Sequence, residues 1–255
     1  MPDPFRELVE IIAKLRSPEG CPWDREQTFE SLRPYLLEET YEILQTIDDH
    51  DFARLQEELG DLMMHIVFDA QLGREQDLFD IDDVLRTINQ KLIRRHPHVF
   101  GDTEVADSKE VLENWEKIKL DEGPKRLLHG VPRSLPALLQ AHRVQEKAAG
   151  VGFDWKRDKE VIQKILEEIK ELRAAKREGK QSKIEDEFGD LLFSLVNLAR
   201  FWKVSPEEAL RKTTEKFIRR FSYIEDVLES QQKNAASATL KEMDALWDEA
   251  KEKGL

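Results

Sequence analysis

The feature that most constrains this chain is that it repeats itself. Leu37-Glu38-Glu39-Thr40-Tyr41-Glu42 returns as Leu166-Glu167-Glu168-Ile169-Lys170-Glu171, and Glu58-Leu59-Gly60-Asp61-Leu62 returns as Glu187-Phe188-Gly189-Asp190-Leu191, with identical intervening lengths. Lys91-Leu92-Ile93-Arg94-Arg95 then reappears as Lys216-Phe217-Ile218-Arg219-Arg220, and the pair Trp115 and Lys119 as Trp247 and Lys251. Self-similarity of this kind means two copies of one structural unit. The densest cluster of chain breakers, DEGPKRLLHGVPRSLP at 121–136, falls between them. The expected organisation is therefore an N-terminal module over 1–122, a linker over 123–136 and a C-terminal module over 137–255.

Both copies read as helices. Phe5, Leu8, Ile12 and Leu15 recur at steps of three and four and mark a first helix, closed by Pro18 and Gly20. CPWDREQT reads as loop. Leu32, Leu36, Ile43 and Ile47 mark a second helix from about Thr28, and Leu55, Leu59, Leu62 and Ile66 a third. Ile81, Val84, Ile88 and Leu92 mark a fourth, which must stop before Pro97 because proline lacks the amide donor. Asp107 and Glu110 can open a fifth with a capping box, ending near Leu120. Helical stretches follow at about 137–148, 158–177, 182–202, 206–229 and 239–252, the fourth opened by Ser205-Pro206-Glu207-Glu208 with a cap, a proline at the first helical position and a reciprocal Glu. The fold class is all-α, a tandem pair of homologous helical bundles. With 11 Gly and 10 Pro in 255 residues, composition agrees.

Acids occur where apolar residues belong. Glu39 stands between Leu36 and Ile43 on the apolar stripe, Glu168 between Ile165 and Leu172, Glu58 between Leu55 and Leu62, and Glu187 between Ile184 and Leu191. Glu42, Glu171, Asp61 and Asp190 each lie one turn beyond one of these, on the same helix face. If the two helices of each copy pack antiparallel, four carboxylates converge. Such a group cannot stay fully ionised without a cation, since like charges and desolvation both favour protonation. Oxygen-only ligands suit Mg²⁺, or Mn²⁺, and Mg²⁺ commonly binds through a few carboxylates plus substrate phosphates. Gly60 and Gly189, at the same offset inside a helix where Gly costs about 1 kcal/mol against Ala, suggest a close approach by backbone, metal or ligand. A di-iron bundle needs Glu-x-x-His, and no His here follows a Glu by three. His65 is matched by Ser194 in the second copy and reads as a site-edge or core residue.

Lys91, Arg94 and Arg95 share a helix face, as do Lys216, Arg219 and Arg220, and either trio can grip a polyphosphate that bridges to the metal. Trp115 and Trp247 can stack on a nucleobase or pack in a core. The formal charge of −13 argues against a nucleic-acid polymer as partner. One cysteine, Cys21, is what a reducing cytoplasm predicts, and no apolar run approaches the ~18 residues of a membrane span.

EExxE followed by ExxD, with GCPWDREQT before and RRHPHVFGD after, resembles the MazG family of nucleoside triphosphate pyrophosphohydrolases, and the match spans nearly the whole chain. The resemblance implies an all-α bundle per module, a Mg²⁺ requirement and homodimerisation. It also implies cleavage of nucleoside triphosphates to monophosphate and pyrophosphate, with broad nucleotide tolerance and a housecleaning role. It makes Glu39, Glu42, Glu58 and Asp61 metal ligands, with Glu168, Glu171, Glu187 and Asp190 as their second-copy equivalents. Lys91, Arg94, Arg95, Trp115, Lys119, Lys216, Arg219, Arg220, Trp247 and Lys251 become nucleotide-binding, and Glu38 and Glu167 candidates to orient or deprotonate the water. The second copy departs from the pattern, with GVGFDW for GCPWD and FSYIED for HPHVFGD, so the two sites are expected to differ. Rival readings are a narrower dUTP/dCTP or phosphoribosyl-ATP pyrophosphohydrolase, and a helical scaffold that binds a basic partner.

Overall fold

The computed structural model describes residues 3–108, 110–111, 114–115, 118 and 127–255. Among these residues every regular element is a helix and no strand occurs. The chain divides into two compact units, Met1–Trp115 and Glu116–Leu255.

In the first unit, α1 (Pro4–Leu15) begins where the Asp3 carboxylate accepts the Phe5 amide at 3.1 Å and Pro4 takes the first helical position. The CPWDREQT stretch, expected as loop, instead holds a short helix, α2 (Pro22–Glu26). Pro22 presets the first helical φ, and the Arg16 guanidinium donates to the carbonyls of Asp24 and, at 3.3 Å, Gln27, occupying acceptors at its C-terminal end. Helix α3 (Phe29–Asp48) opens on a capping box between Thr28 and Ser31. Three residues later α4 (Phe52–Glu75) returns antiparallel, with His50 in the left-handed region at φ 55° to make the tight reversal. Helix α5 (Ile81–Arg95) is boxed by Asp80 and Asp83 and ends before Pro97, which starts the single turn α6 (Pro97–Phe100). Asp107 caps the next helical residues by accepting the Glu110 amide at 2.9 Å, and the Glu110 carboxylate accepts the Ala106 amide at 2.9 Å. The expected end of that helix near Leu120 lies outside the described residues.

The core joins Ile12, Leu32, Val67, Phe68, Ala70, Leu72 and Ile81, from α1, the beginning of α3, the end of α4 and the beginning of α5. Apolar packing therefore occupies one end of the α3–α4 hairpin. The half nearer the Asp49–Asp51 turn carries the acids.

The second unit repeats the plan. A 3₁₀ turn (Leu127–Gly130) precedes α7 (Ala137–Gly150), α8 (Asp158–Glu178), α9 (Gln181–Phe201), α10 (Pro206–Ser230) and α11 (Leu240–Glu252). Gly179, at φ 71°, closes α8 as a left-handed residue just past the helix and turns the chain into α9. Ser205 caps α10 through the Glu208 amide at 3.5 Å, but the reciprocal bond expected from Glu208 is absent among the described contacts; its carboxylate takes Arg211 at 2.8 Å instead. Val161, Ile165 and Val196 are buried on the α8–α9 hairpin, and Ile224, Leu228 and Ala250 on α10 and α11.

Candidate metal and nucleotide site

A three-residue turn fixes the register of the first hairpin, placing the middle of α3 against the beginning of α4. Carboxylate oxygens of Glu39, Glu58 and Asp61 consequently lie within 4.8 Å of one another. In the second unit the group within the same distance is Glu168, Glu171 and Glu187. Of the eight acids singled out from the sequence, six meet in these two triads. Glu42 adjoins the first through a hydrogen bond to Glu58, while Asp190 is exposed and outside the second.

Electrostatic strain marks both places. Burial, followed by the charges of Asp61, Glu42, Glu58 and Glu38, holds the Glu39 carboxyl above the usual range. Glu42 is raised first by its hydrogen bond to Glu58, a contact that two carboxylates make only when one keeps its proton. Burial and then the charges of Glu168 and Glu187 raise Glu171. In addition, Oε2 of the buried Glu168 has no hydrogen-bond partner. Unsatisfied carboxylate oxygens, crowded until some retain protons, are a donor set that a hard divalent cation fits.

Four contacts were not read from the sequence. Arg54 Nη2 lies 3.2 Å from Glu58 Oε1. Lys164 Nζ lies 2.8 Å from Glu168 Oε1 and 2.9 Å from Glu167 Oε1, which holds the ammonium well above the usual lysine range. Each cation stands four residues before the buried acid it serves, a spacing that makes helix neighbours and could have been used. Buried His65 also directs Nε2 toward Glu39 Oε1 at 3.9 Å, so its place at the site's edge is a contact with the first triad. Glu38 and Glu167 are exposed beside their triads. A Cβ built at Gly60 or Gly189 meets no described atom within 4 Å, so packing inside the chain requires neither glycine.

The basic and aromatic residues divide. Lys91 joins Phe79, Asp83, Val84, Thr87 and Ile88 around a cleft of about 440 Å³. Arg94 and Arg95 end α5, and Trp115 lies at the edge of the described residues, with Lys119 outside them. In the second unit the Trp247 ring packs 5.1 Å from Phe217 and under the Arg220 guanidinium at 5.4 Å, which joins α11 to the basic face of α10. Lys216 and Arg219 are exposed on that face, whereas Lys251 pairs with Asp248 at 2.7 Å.

The MazG nucleotide pyrophosphohydrolase domain model matches residues 27–100 and again 156–224, so each match covers one acidic hairpin and the following basic helix. A nucleoside triphosphate pyrophosphohydrolase/pyrophosphatase MazG of Thermotoga maritima is 49% identical over 250 residues, covering 97% of this chain and 95% of that protein. A nucleoside triphosphate pyrophosphohydrolase of Escherichia coli K12 is 45% identical over 251 residues, 96% of this chain and 95% of that one. The uncharacterized protein YabN of Bacillus subtilis is 47% identical over 252 residues, which cover 97% of this chain but 52% of that protein. With two domain matches in tandem and full-length relatives near half identity, the chain belongs to the MazG nucleotide pyrophosphohydrolase family.

Proposed function

We propose that this protein hydrolyses nucleoside triphosphates to nucleoside monophosphate and pyrophosphate with Mg²⁺ as cofactor, Mn²⁺ serving as a substitute, and that it accepts a broad range of bases in clearing the nucleotide pool. The observation that carries this reading is the pair of carboxylate triads, Glu39, Glu58 and Asp61 and Glu168, Glu171 and Glu187. The names of the Thermotoga and Escherichia relatives support the reaction class.

Glu39, Glu58 and Asp61, with Glu42 beside them, would hold the cation in the first unit. Glu168, Glu171 and Glu187, with Asp190 one turn away, would hold it in the second. Bound there, Mg²⁺ supplies charge neutralisation and Lewis-acid polarisation of phosphate oxygens. Lys91, Arg94 and Arg95, or Lys216, Arg219 and Arg220, bind the phosphate chain and offset its growing charge as the bond between the α and β phosphorus groups breaks. Trp247, in contact with Phe217 and Arg220, supplies an aromatic surface for the base; Trp115 has the matching role. Glu38 and Glu167, exposed next to the triads, orient the attacking water and take its proton as oxygen bonds to the α phosphorus and pyrophosphate leaves. Lys251, and by the repeat Lys119, complete the nucleotide-binding set.

A homodimer fits the large apolar side chains left exposed along the acidic hairpins, Leu37, Leu59 and Met63 in one unit and Leu166, Phe188 and Leu192 in the other. Open space over Gly60 and Gly189 leaves room for that approach. No described helix is long and apolar enough to cross a membrane, and the single cysteine favours the cytoplasm as the place of action.

Pyrophosphate release from a panel of ribo- and deoxyribonucleoside triphosphates tests the proposal. Turnover should require Mg²⁺ or Mn²⁺ and fall at least about a hundredfold, the scale of one lost electrostatic contact to the transition state, in Glu39→Gln/Glu168→Gln. Unchanged release in that double variant removes both triads from the reaction. Turnover confined to dUTP and dCTP, or to phosphoribosyl-ATP, would replace broad tolerance with a narrow specificity.

A further inference from the structure

His65 does not belong to the apolar seam that its helix position predicts. It lies one turn beyond Asp61 on α4, is only 5% exposed, and aims Nε2 across the hairpin at Glu39 Oε1, 3.9 Å away. One turn further along the same helix comes Asp69, whose carboxyl interacts electrostatically with the imidazole and whose Oδ1 is buried without a hydrogen-bond partner. Desolvating two polar side chains here costs stability unless they serve each other or a neighbour. The second unit does without them: Ser194 and Leu198 occupy the matching positions on α9, and Lys164 contacts the matching acid, Glu168.

We propose that His65 is a positioning residue for the first unit's metal site: its Nε2–H holds one oxygen of Glu39, with Asp69 as the negative pole behind the ring, leaving the other oxygen to the cation. This rests on the reading of Glu39, Glu58 and Asp61 as metal ligands. A separation of 3.9 Å exceeds a hydrogen bond, so the proposed contact requires the two side chains to approach each other when the cation is bound. A carboxylate tied at one oxygen is a single-point ligand of fixed direction. Partners of this kind behind a ligand typically contribute about 10–100-fold in metal affinity. The second unit orients its ligand differently, through a lysine on the same helix.

The test uses the full chain in a Glu168→Gln background, which weakens the second site, and titrates Mn²⁺ by electron paramagnetic resonance. Glu39→Gln should remove the tight binding that remains, leaving at most the weakened second site; if the tight binding persists there, the underlying metal site falls and this proposal with it. Given that site, His65→Ser, the side chain the second unit carries, should weaken Mn²⁺ about 10–100-fold, while His65→Gln, which keeps a donor, should recover most of the loss. Asp69→Leu should weaken binding a few-fold, with helical content unchanged by circular dichroism. Pulsed resonance on the parent should show no nitrogen directly bound to Mn²⁺. Parent-like affinity in His65→Ser, or equal losses in His65→Ser and His65→Gln, would overturn the proposal, and so would a directly bound nitrogen.

Discussion

The two units bury opposite members of the same acid pair. In the first, the buried carboxylate is Glu58 on the second helix of the hairpin, at 6% exposure; in the second it is Glu168 on the first helix, at 3%. The cation follows the buried acid. Arg54 stands four residues before Glu58, and Lys164 four residues before Glu168. The corresponding positions are not vacant but are used otherwise. Tyr35, four before Glu39, makes an edge contact with Trp23 at 6.2 Å, and Lys183, four before Glu187, pairs with Glu178 at 2.6 Å. One scaffold thus tolerates an acid in its seam in either of two places, provided a basic side chain lies one turn earlier. What the duplication keeps is a cluster of three carboxylates; what it varies is the third member, Asp61 in one unit and Glu171 in the other, and the counter-charge.

The sharpest way to break this comparison is to remove one acid from each unit separately. If the sites work independently, the activities lost in Glu39→Gln and in Glu168→Gln should sum to the activity of the parent, with the double variant about a hundredfold down or more. Pyrophosphate release by the three variants decides it. A single variant as inactive as the double one would mean that the intact unit contributes nothing alone, and the symmetry of the triads would not extend to function.

Next in size is the loss of Lys164. Glu168 is buried with one oxygen already unpartnered, so Lys164→Met leaves a buried carboxylate without its ammonium partner. Breaking a buried pair costs about 3–5 kcal/mol, and because the Lys164 side chain is itself 36% exposed the expected cost is lower, about 1–2 kcal/mol. At roughly 2–4 °C per kcal/mol for a chain of this size, the melting midpoint of the second unit should fall several degrees. Mg²⁺ should restore more of it in the variant than it adds to the parent, since the cation replaces the ammonium. A loss that Mg²⁺ leaves untouched would make Lys164 structural and nothing else.

How much of this was legible in the sequence follows from which forces are local. Helix boundaries came from caps and breakers acting within a turn or two, so Thr28, Ser205 and Pro97 located them closely. The triads were legible because the repeat supplied two instances of acids on an apolar stripe, and hairpin register does the rest. The short helix Pro22–Glu26 was missed because Arg16, on another helix, holds its carbonyls. His65 opposite Glu39 was missed for the same reason: it depends on how α3 lies against α4, which spacing along one helix cannot express. The counter-charges Arg54 and Lys164 stand at (i, i+4) spacing, but a helix this rich in charge offers several such pairs, and only burial of Glu58 and Glu168 distinguishes these two.

Proton linkage separates the triads from the rest of the surface. Glu39, Glu42 and Glu171 have folded pKa values above their ordinary ones, so the metal-free folded state binds more protons than the unfolded chain. Their contribution to stability is complete below about pH 4.5 and is lost as pH rises through the raised values. Glu242, lowered to about 2 by Lys233 and the cap at Thr239, has the opposite sign, but its gain is already complete by that pH. Between pH 5 and 7, metal-free Glu39→Gln/Glu171→Gln should therefore lose less stability than the parent, and Mg²⁺ should flatten the parent's profile toward that of the variant. Parallel thermal melts across that range are the measurement; identical slopes with and without Mg²⁺ would contradict the assignment.

The smallest effect is the most diagnostic of where the counter-charge acts. Arg54 is half exposed, so Arg54→Ala should cost about 0.5–1 kcal/mol, a shift of roughly 1–4 °C. The cost should depend on pH, because Arg54 favours the ionised form of Glu42: removing the guanidinium should matter less at low pH than at high pH, and added Mg²⁺ should take over its role. Lys183→Ala in the second unit is the comparison: its main partner Glu178 lies at the end of the hairpin, both side chains are about half exposed, and Glu187 adds only a lesser charge interaction, so the loss should be smaller and less sensitive to Mg²⁺. Should Lys183→Ala instead show the Mg²⁺-sensitive loss and Arg54→Ala none, the rule that the cation stands one turn before the buried acid would be wrong for both units.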